Sequence, residues 1–475
     1  MSRKAKLVIS DTHIGAGARD QGNKLEDFIS DAEFAAWLQT LVKESDRDEI
    51  EMELIINGDW IEFLQTPAVR RFSPRRRYET KYYTDAAESE ALKRLEIVYK
   101  GHFSIFQALA DFLHLDPPRR SLTILFGNHD PEVVYPAVQK RLRQMIGATG
   151  AKAALVDIGE RVYFRDGVYA EHGNAYVEEV NRFTDPDSPL DPDDPWQIER
   201  PPGSHFVTRF FNQVEWERPW VDGVHPLTSL LFYALAYEPA FALRILRVFL
   251  TTMPDIVLGL AGTPATAEGA SASERVLAEL AGPGQEEALA ARLRASTDYA
   301  AQFQRSVEQA LVEKGAIPAP PPDVAAAPAV AKPPEQRAQD FTEIYWKMLE
   351  EEAARIARDT GAKVVLFGHI HERVEKPLPG GGVYLNTGAW IWKGDFEKAG
   401  EQTWQDLIRH PEKYEEERDL TYARIDYDEE GRIVGAWLGR VGPAPGPLPD
   451  PGPQPEPSLW AKILLGIKHL WERLF

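Results

Sequence analysis

The sequence predicts an α/β protein with a layered core, a large and mostly helical insertion, and an amphipathic helix at its C-terminal end. Three observations lead there. Short apolar runs (Leu7–Ile9, Leu54–Ile56, Leu122–Phe126 and Val364–Phe367) each end in Asp, Asn or His, the pattern of buried strands that deliver polar residues at their tips. Helical patterns lie between them, notably Asp31–Lys43 with Phe34, Trp37, Leu38 and Leu41 on one face, and Glu88–Leu115. That alternation breaks over residues 186–345, and proline clusters in two places. Strands alternating with helices place a binding site at the strand C-termini.

The remaining core elements follow the same logic. Val162–Ala170, Val383–Leu385, Leu420–Asp426 and Arg432–Val441 read as strands or hairpins with turns at Asp166-Gly167 and Glu430-Gly431. A mixed sheet or a two-sheet sandwich results. The chain then divides into a first core part, 1–185; a helical insert or cap, 186–345; a second core part, 346–441; a linker, 442–457; and the helix 458–475. Of 36 prolines in 475 residues, 15 fall in 318–334 and 442–457, marking extended spacers. Within the insert, an Asp- and Pro-rich loop, Asp185–Pro202, leads into the aromatic and aliphatic stretch Phe206–Leu260 and then Ala/Glu-rich helical sequence to about Gly315. Glu238, Arg244, Arg247, Asp255 and internal prolines keep the apolar stretch short of the 18 residues of a membrane span. Buried cap helices are expected; the competing reading is an apolar surface for a lipid-like substrate.

Composition narrows the chemistry. With 54 Lys and Arg against 74 Asp and Glu the formal charge is −20, which disfavours nucleic acid as a partner. There is no cysteine, so thiolate nucleophiles, disulfides and Cys-held metals are excluded, and a metal must be held by His, Asp, Glu, Asn or Gln. The N-terminal apolar run, Leu7–Ile9, is too short for a signal-peptide core, and a cytoplasmic location is expected.

The polar strand ends form an ordered set: Asp11-Thr-His13, Gly58-Asp59, Gly127-Asn128-His129-Asp130, Glu171-His172-Gly173 and Gly368-His369-Ile370-His371. Each pair alone is weak; five in order are not. Two divalent cations about 3.5–4 Å apart need a bridging carboxylate, neutral imidazoles and oxygen ligands, which this set supplies. In an extended segment Asp11 and His13 lie on the same side, and so do His369 and His371. The glycines before Asp59, Asn128 and His369 allow the backbone to approach the metals closely.

Through these motifs, D-x-H, G-D, G-N-H-D, H and G-H-x-H, the chain resembles the calcineurin-like metallophosphoesterases over roughly residues 5–185 and 360–440. The resemblance implies a four-layer αββα sandwich and two divalent ions, Mn, Fe or Zn. It assigns one metal to Asp11, His13, Asp59 and His371 and the other to Asp59, Asn128, His172 and His369, with Asp59 as the bridge. His129 is then expected to stabilise the transition state or protonate the leaving oxygen, with Asp130 orienting its ring. The implied activity is hydrolysis of a phosphodiester, pyrophosphate or phosphomonoester by in-line attack of a metal-bridging hydroxide. After Gly58-Asp59 comes Trp-Ile-Glu-Phe, without the Asp-Arg-Gly of the protein Ser/Thr phosphatases, so a phosphoprotein substrate is disfavoured.

Two basic features could select a small or lipid-linked anionic substrate. Arg70, Arg71, Arg75, Arg76 and Arg77 fall within eight residues, and Arg75–Arg77 are candidate head-group ligands; the competing reading is a solvated loop paired with acids. Residues 458–475 place Trp460, Ile463, Leu464, Ile467, Leu470, Trp471 and Leu474 on one helical face, which fits peripheral membrane contact at an inner membrane face, a partner, or docking on the core. The basic loop, apolar insert and tail look most like the UDP-diacylglucosamine pyrophosphohydrolases of lipid A synthesis, although His129 stands where those enzymes commonly have Arg. The alternatives are a DNA-repair-type nuclease of the same superfamily and a non-catalytic, partner-binding scaffold.

Overall fold

The structure is a computed structural model that describes residues 3–224, 227–253, 271–282, 284–319, 334–393, 400–415 and 418–442. All but the first residue of the linker at 442–457, the helix expected at 458–475 and nearly all of the spacer at 318–334 lie outside the described residues. The strands are β1 (Arg3–Ile9), β2 (Ile50–Asn57), β3 (Arg120–Leu125), β4 (Val156–Glu160), β5 (Val162–Arg165), β6 (Val168–Glu171), β7 (Val364–Phe367), β8 (Arg373–Pro377), β9 (Val383–Thr387), β10 (Thr421–Tyr427) and β11 (Ile433–Arg440). They form two mixed sheets, in the orders β11-β10-β1-β2-β3-β4 and β5-β6-β7-β9-β8. In the first, β1 to β4 run parallel and β10 closes antiparallel on β1. In the second, β6, β7 and β9 run parallel, with β5 and β8 antiparallel at the edges.

The apolar runs are continuous because the central strands are buried on both faces. Leu7, Ile9, Leu54, Ile56, Leu122 and Ile124 face the crossover helices Asp31–Asp48, Glu88–Gly101, Phe103–Phe112 and Pro136–Met145. The alternate residues Val8, Ile55 and Leu125 point the other way and share one apolar cluster with Val168, Ala170, Val364, Leu366 and Leu385 of the second sheet. On the far side of that sheet, Val365, Phe367 and Tyr384 pack with Leu349, Ala353 and Ile356 of the long helix Pro334–Thr360. Phe34, Trp37, Leu38 and Leu41 are all buried on the first helix, as their spacing predicts.

Some elements differ from expectation. The helix predicted over Glu88–Leu115 is two helices, broken where Gly101 lies against the Ala16 carbonyl so closely that a side chain would collide with it. At the break His102 is 2% exposed and sits 3.3 Å from Glu26 and 3.0 Å from Asp31. Glu26 in turn accepts the N–H groups of Gly15 and Gly17, so it fixes the loop that follows β1. Strands β4 and β8 were not anticipated. The boundary expected at 345/346 falls inside the helix Pro334–Thr360, whose Tyr345 hydroxyl reaches Glu178 and whose later turns cover the second sheet.

The described residues of the insert are mostly helical. Leu227–Tyr237, Pro239–Thr252, Ala272–Glu279, Gln285–Ala295 and Thr297–Glu313 surround an apolar cluster that also takes in Trp392, Trp404 and Leu407. It therefore belongs to one unit with the rest of residues 1–442. Among the described residues no helix is long and apolar enough to cross a membrane.

Burial, the largest influence on His102, opposes its charge, but Glu26 and Asp31 push its pKa from 6.5 up to about 10. A group raised in the folded state contributes stability in full below its unfolded pKa and loses that contribution as pH rises through the folded one. The urea midpoint should therefore fall between pH 6.5 and 10, and His102→Gln should flatten that fall; an identical pH profile for the variant would refute the assignment.

Candidate metal centre

The site is built by backbone first. Beyond the ends of β1 and β2 the two chains keep pairing: Asp11 N–H donates to Gly58 O at 3.2 Å, His13 N–H to Asp59 O at 3.0 Å, and Ile14 N–H to Trp60 O at 2.9 Å. From the second sheet, Gly368 N–H donates to His172 O at 2.8 Å. These bonds hold the Asp11, Asp59, His172 and His369 segments in fixed register. Among the described residues only eight non-glycines have positive φ, and Asp11 (52°), His13 (45°), Asp59 (49°), His369 (69°) and His371 (56°) are five of them. The D-x-H and G-H-x-H pairs thus converge through left-handed turns and not, as expected, through strand alternation. Left-handed backbone costs about 1–3 kcal/mol per residue and persists where the surroundings over-determine it, as at functional sites. Two glycines are obligatory here: a Cβ on Gly127 would overlap the Asp59 carboxylate, and one on Gly368 the Asp11 carboxylate.

All seven predicted ligands meet in one place. Asp11, His13 and His371 bring a donor atom each within 4.8 Å of one another, and Asp59, His172 and His369 do the same. Asp59 joins the groups, with Oδ2 at 3.0 Å from His172 Nε2 and 3.8 Å from His13 Nε2. Asp11 Oδ1 is 3.3 Å from His371 Nε2 and 3.9 Å from His172 Nε2. The imidazoles are aimed from behind: Nδ1 of His13 lies 2.9 Å from Glu62 and Nδ1 of His172 lies 3.1 Å from Asn57 O, which leaves each Nε2 facing the cluster. Asn128 Oδ1 is buried with no hydrogen-bond partner among the described residues. A hard, neutral oxygen acceptor left bare beside converging imidazoles and two buried carboxylates fits a divalent cation.

The electrostatics follow from burial without solvent. Burial is the largest influence on Asp59 and would raise its pKa, but the charges of His172 and His129 hold it well below the carboxylate range. Asp11 is lowered likewise, against burial, by His172 and His371. Against the same burial, the charges of Asp59 and Asp11 push His172 up to about 9, and Glu62 and Asp59 push His129 up to about 10.

The expected pairing of Asp130 with His129 is not what the structure shows. Asp130 turns back and accepts the N–H groups of Gly127 (2.7 Å), Asp59 (3.1 Å), Trp60 (2.8 Å) and Ile61 (3.3 Å), tying the two loops together. Burial and the Asp59 charge push its pKa up to about 7 against those donors. The partner of His129 is Glu62, whose Oε2 lies 2.6 Å from Nδ1. Glu62 also holds His13, and His129 and His13 together draw its pKa down to about 2 although burial opposes this. Glu62 has one signal in the sequence, a carboxylate three positions after Asp59, and no motif marks it.

A cavity of about 280 Å³ opens over the cluster, with His13, Asp59, Asn128, His129, His369 and His371 at one end. Arg75, Arg76 and Arg77 do not line it. Arg75 donates to Gln21 O at 3.1 Å, Arg76 stacks on Tyr78, and Arg77 bonds Gln213 at 2.6 Å and pairs with Glu217 at 3.1 Å, the behaviour of a surface loop paired with its neighbours. Asp222, at the cavity wall, groups with buried Asp27 and Glu215. Burial and the negative charge of their acidic neighbours raise both Asp27 and Glu215 well above the carboxylate range.

Both imidazoles meet Oε2 of Glu62 while Oε1 accepts the Leu64 and Gln65 N–H groups, so Glu62→Gln must turn its amide N–H groups either toward both imidazoles or toward those backbone donors. It should weaken Mn²⁺ binding by about 10–100-fold in a calorimetric titration, the usual effect of removing an outer-shell partner; unchanged affinity would show that Glu62 does not position the site. No family model matches the chain, and no curated protein matches it either.

Proposed function

We propose that the protein is a dinuclear-metal phosphoesterase of the calcineurin-like superfamily, its two sheets and flanking helices forming that family's four-layer αββα sandwich. One observation carries the reading: Asp59 groups with His13 and His129 on one side and with His172 and His369 on the other, the arrangement a carboxylate bridging two cations requires. Two ions of Mn, Fe or Zn, when bound by Asp11, His13, Asp59 and His371 and by Asp59, Asn128, His172 and His369, acidify water and offset charge on phosphoryl oxygens.

The chain's own groups do the rest. His129 is 22% exposed, faces the cavity, and has Nδ1 fixed on Glu62, so Nε2 is the nitrogen turned to substrate. Kept cationic by Glu62 and Asp59, it binds a phosphoryl oxygen and can deliver the Nε2 proton to a departing alkoxide. Asp130 holds the Asp59 loop against the His129 loop through backbone N–H groups, so the bridging carboxylate and the proton donor stay in register. The cavity's apolar wall favours a small or lipid-linked phosphoester over a nucleic acid strand, which would need basic and stacking groups there. Membrane association through residues 458–475 belongs to the same proposal and is read by co-sedimentation with vesicles.

Asp59→Asn should lose both metals by elemental analysis and all hydrolysis of an aryl phosphodiester. His129→Ala should keep two metals and lose at least a hundredfold in kcat. Normal turnover by either variant, or one-metal binding by the wild type, would overturn the proposal.

A further inference from the structure

Outside the histidine cluster, a second group of ionisable side chains gathers beside the cavity. Asp27, Glu215 and Asp222 each bring an oxygen within 4.8 Å of the others. They come from different segments: Asp27 from the loop between β1 and the helix Asp31–Asp48, Glu215 from the short helix Asn212–Glu217, and Asp222 from the turn that follows it. Asp27 and Glu215 are almost wholly buried, whereas Asp222 opens onto the cavity.

Their charges are under-compensated. Among the described residues Arg19 is the one cation within ion-pair range of any of the three, 3.6 Å from Asp27. Its guanidinium is also engaged by Glu415 at 2.7 Å and by the carbonyls of Lys24, Glu26 and Pro219. Three carboxylates against one guanidinium leave two negative charges in a buried place. Polar neighbours do not close the gap. The Trp392 indole N–H donates to Asp27 Oδ1 at 2.9 Å and Gln65 Nε2 donates to Glu215 Oε2, but Glu215 Oε1, fully buried, has no partner among the described residues. One turn earlier on the same helix face, Asn212 Nδ2 is held by Leu64 O, and its Oδ1 is buried and bare too. Burial and the acidic neighbours drive Asp27 and Glu215 toward protonation, the relief the chain finds without an ion. A divalent cation supplies the two missing charges and takes the bare oxygen as a ligand.

The donor set names the ion. It is made of oxygen alone, unlike the imidazole-rich centre nearby, and so suits a hard cation. Ca²⁺ takes oxygen ligands at about 2.3–2.6 Å, so two of them on opposite sides stand about 5 Å apart, and a group held within 4.8 Å fits around it as it stands. Mg²⁺ dehydrates reluctantly and keeps several waters, which a buried trio of carboxylates does not favour. We propose that Asp27, Glu215 and Asp222 form a Ca²⁺ site, separate from the dinuclear centre, that ties the loop after β1 to the first turns of the insert. Asp222 is both a ligand and part of the cavity wall, so the ion fixes the insert at the mouth of the histidine cluster. The site does not depend on the phosphoesterase reading.

Calorimetric titration of the full chain, loaded with two equivalents of Mn²⁺, should show one Ca²⁺ bound per chain. A roughly hundredfold excess of Ca²⁺ over its Kd should raise Tm by about 3 °C. Glu215→Gln keeps a carbonyl to accept from Gln65 and should fold, as read by circular dichroism, yet bind Ca²⁺ about tenfold or more weakly. Asp222→Asn, at a half-buried position, should do the same. Asp59→Asn, which dismantles the dinuclear centre, should still bind one Ca²⁺ with unchanged affinity, so failure of the phosphoesterase reading would leave this site standing. The proposal is overturned by a wild type that binds no Ca²⁺, by wild-type affinity in both Glu215→Gln and Asp222→Asn, or by loss of Ca²⁺ binding in Asp59→Asn. Mg²⁺ that binds as tightly as Ca²⁺ overturns the choice of ion.

Discussion

Everything around the centre answers one electrostatic problem: two carboxylates, Asp11 and Asp59, are almost wholly buried at the ends of adjacent parallel strands. An uncompensated buried charge is far costlier than any single packing contact, so compensation decides the local structure. His13, His172 and His371 supply it from three different segments, and each must be brought to within 4 Å. The chain accepts left-handed backbone at five positions and forgoes a side chain at Gly127 and Gly368 to achieve this. Glu62 then adds a carboxylate behind the imidazoles, which sets ring orientation and raises the pKa of His129.

What could be read in advance follows from which faces are buried. The central strands are apolar on both sides, so the polar residues just beyond each run stand out, and Asp11, Asp59, Asn128, His172 and His369 were legible for that reason. Strands β4 and β8 were not, because their exposed edges leave Val156 and Ile158, or Val374 alone, as buried apolar positions. Positive φ at a non-glycine leaves no mark in a sequence, so the route by which His13 and His371 converge was invisible although their identity was not. Glu62 lies in a loop with no periodicity. Asp130 was assigned to its sequence neighbour, but the turn at Asn128 and His129 sends its carboxylate back to four backbone donors.

The charge of −20 is distributed with purpose only in part. Of the arginines at 70–77, Arg75 bonds Gln21 O, and Arg77 bonds Gln213 and Glu217, tying the core to the start of the insert. The acids that matter lie inside. Asp27, Glu215 and Asp222 sit near the cavity, and their mutual repulsion is tempered by Arg19, 3.6 Å from Asp27, and by the Trp392 indole N–H. Trp392 also packs in the insert's apolar cluster, so one side chain links the helical cap to the charged floor beneath it.

The register of β1 has a consequence in time as well as space. It pairs with β2, immediately downstream, and with β10, more than four hundred residues later in the chain. The donors of the centre are spread as widely: Asp11 meets His369 across 358 positions. During synthesis, a chain that has emerged through the loop after β3 already holds Asp11, Asp59 and Asn128, yet neither histidine of the last motif. Its two acidic strand ends stand side by side with His13 at hand and gain His172 next, but lack His371 until the last motif has been made. Long-range closure of this kind is intrinsically slow, and completion of the centre waits on it.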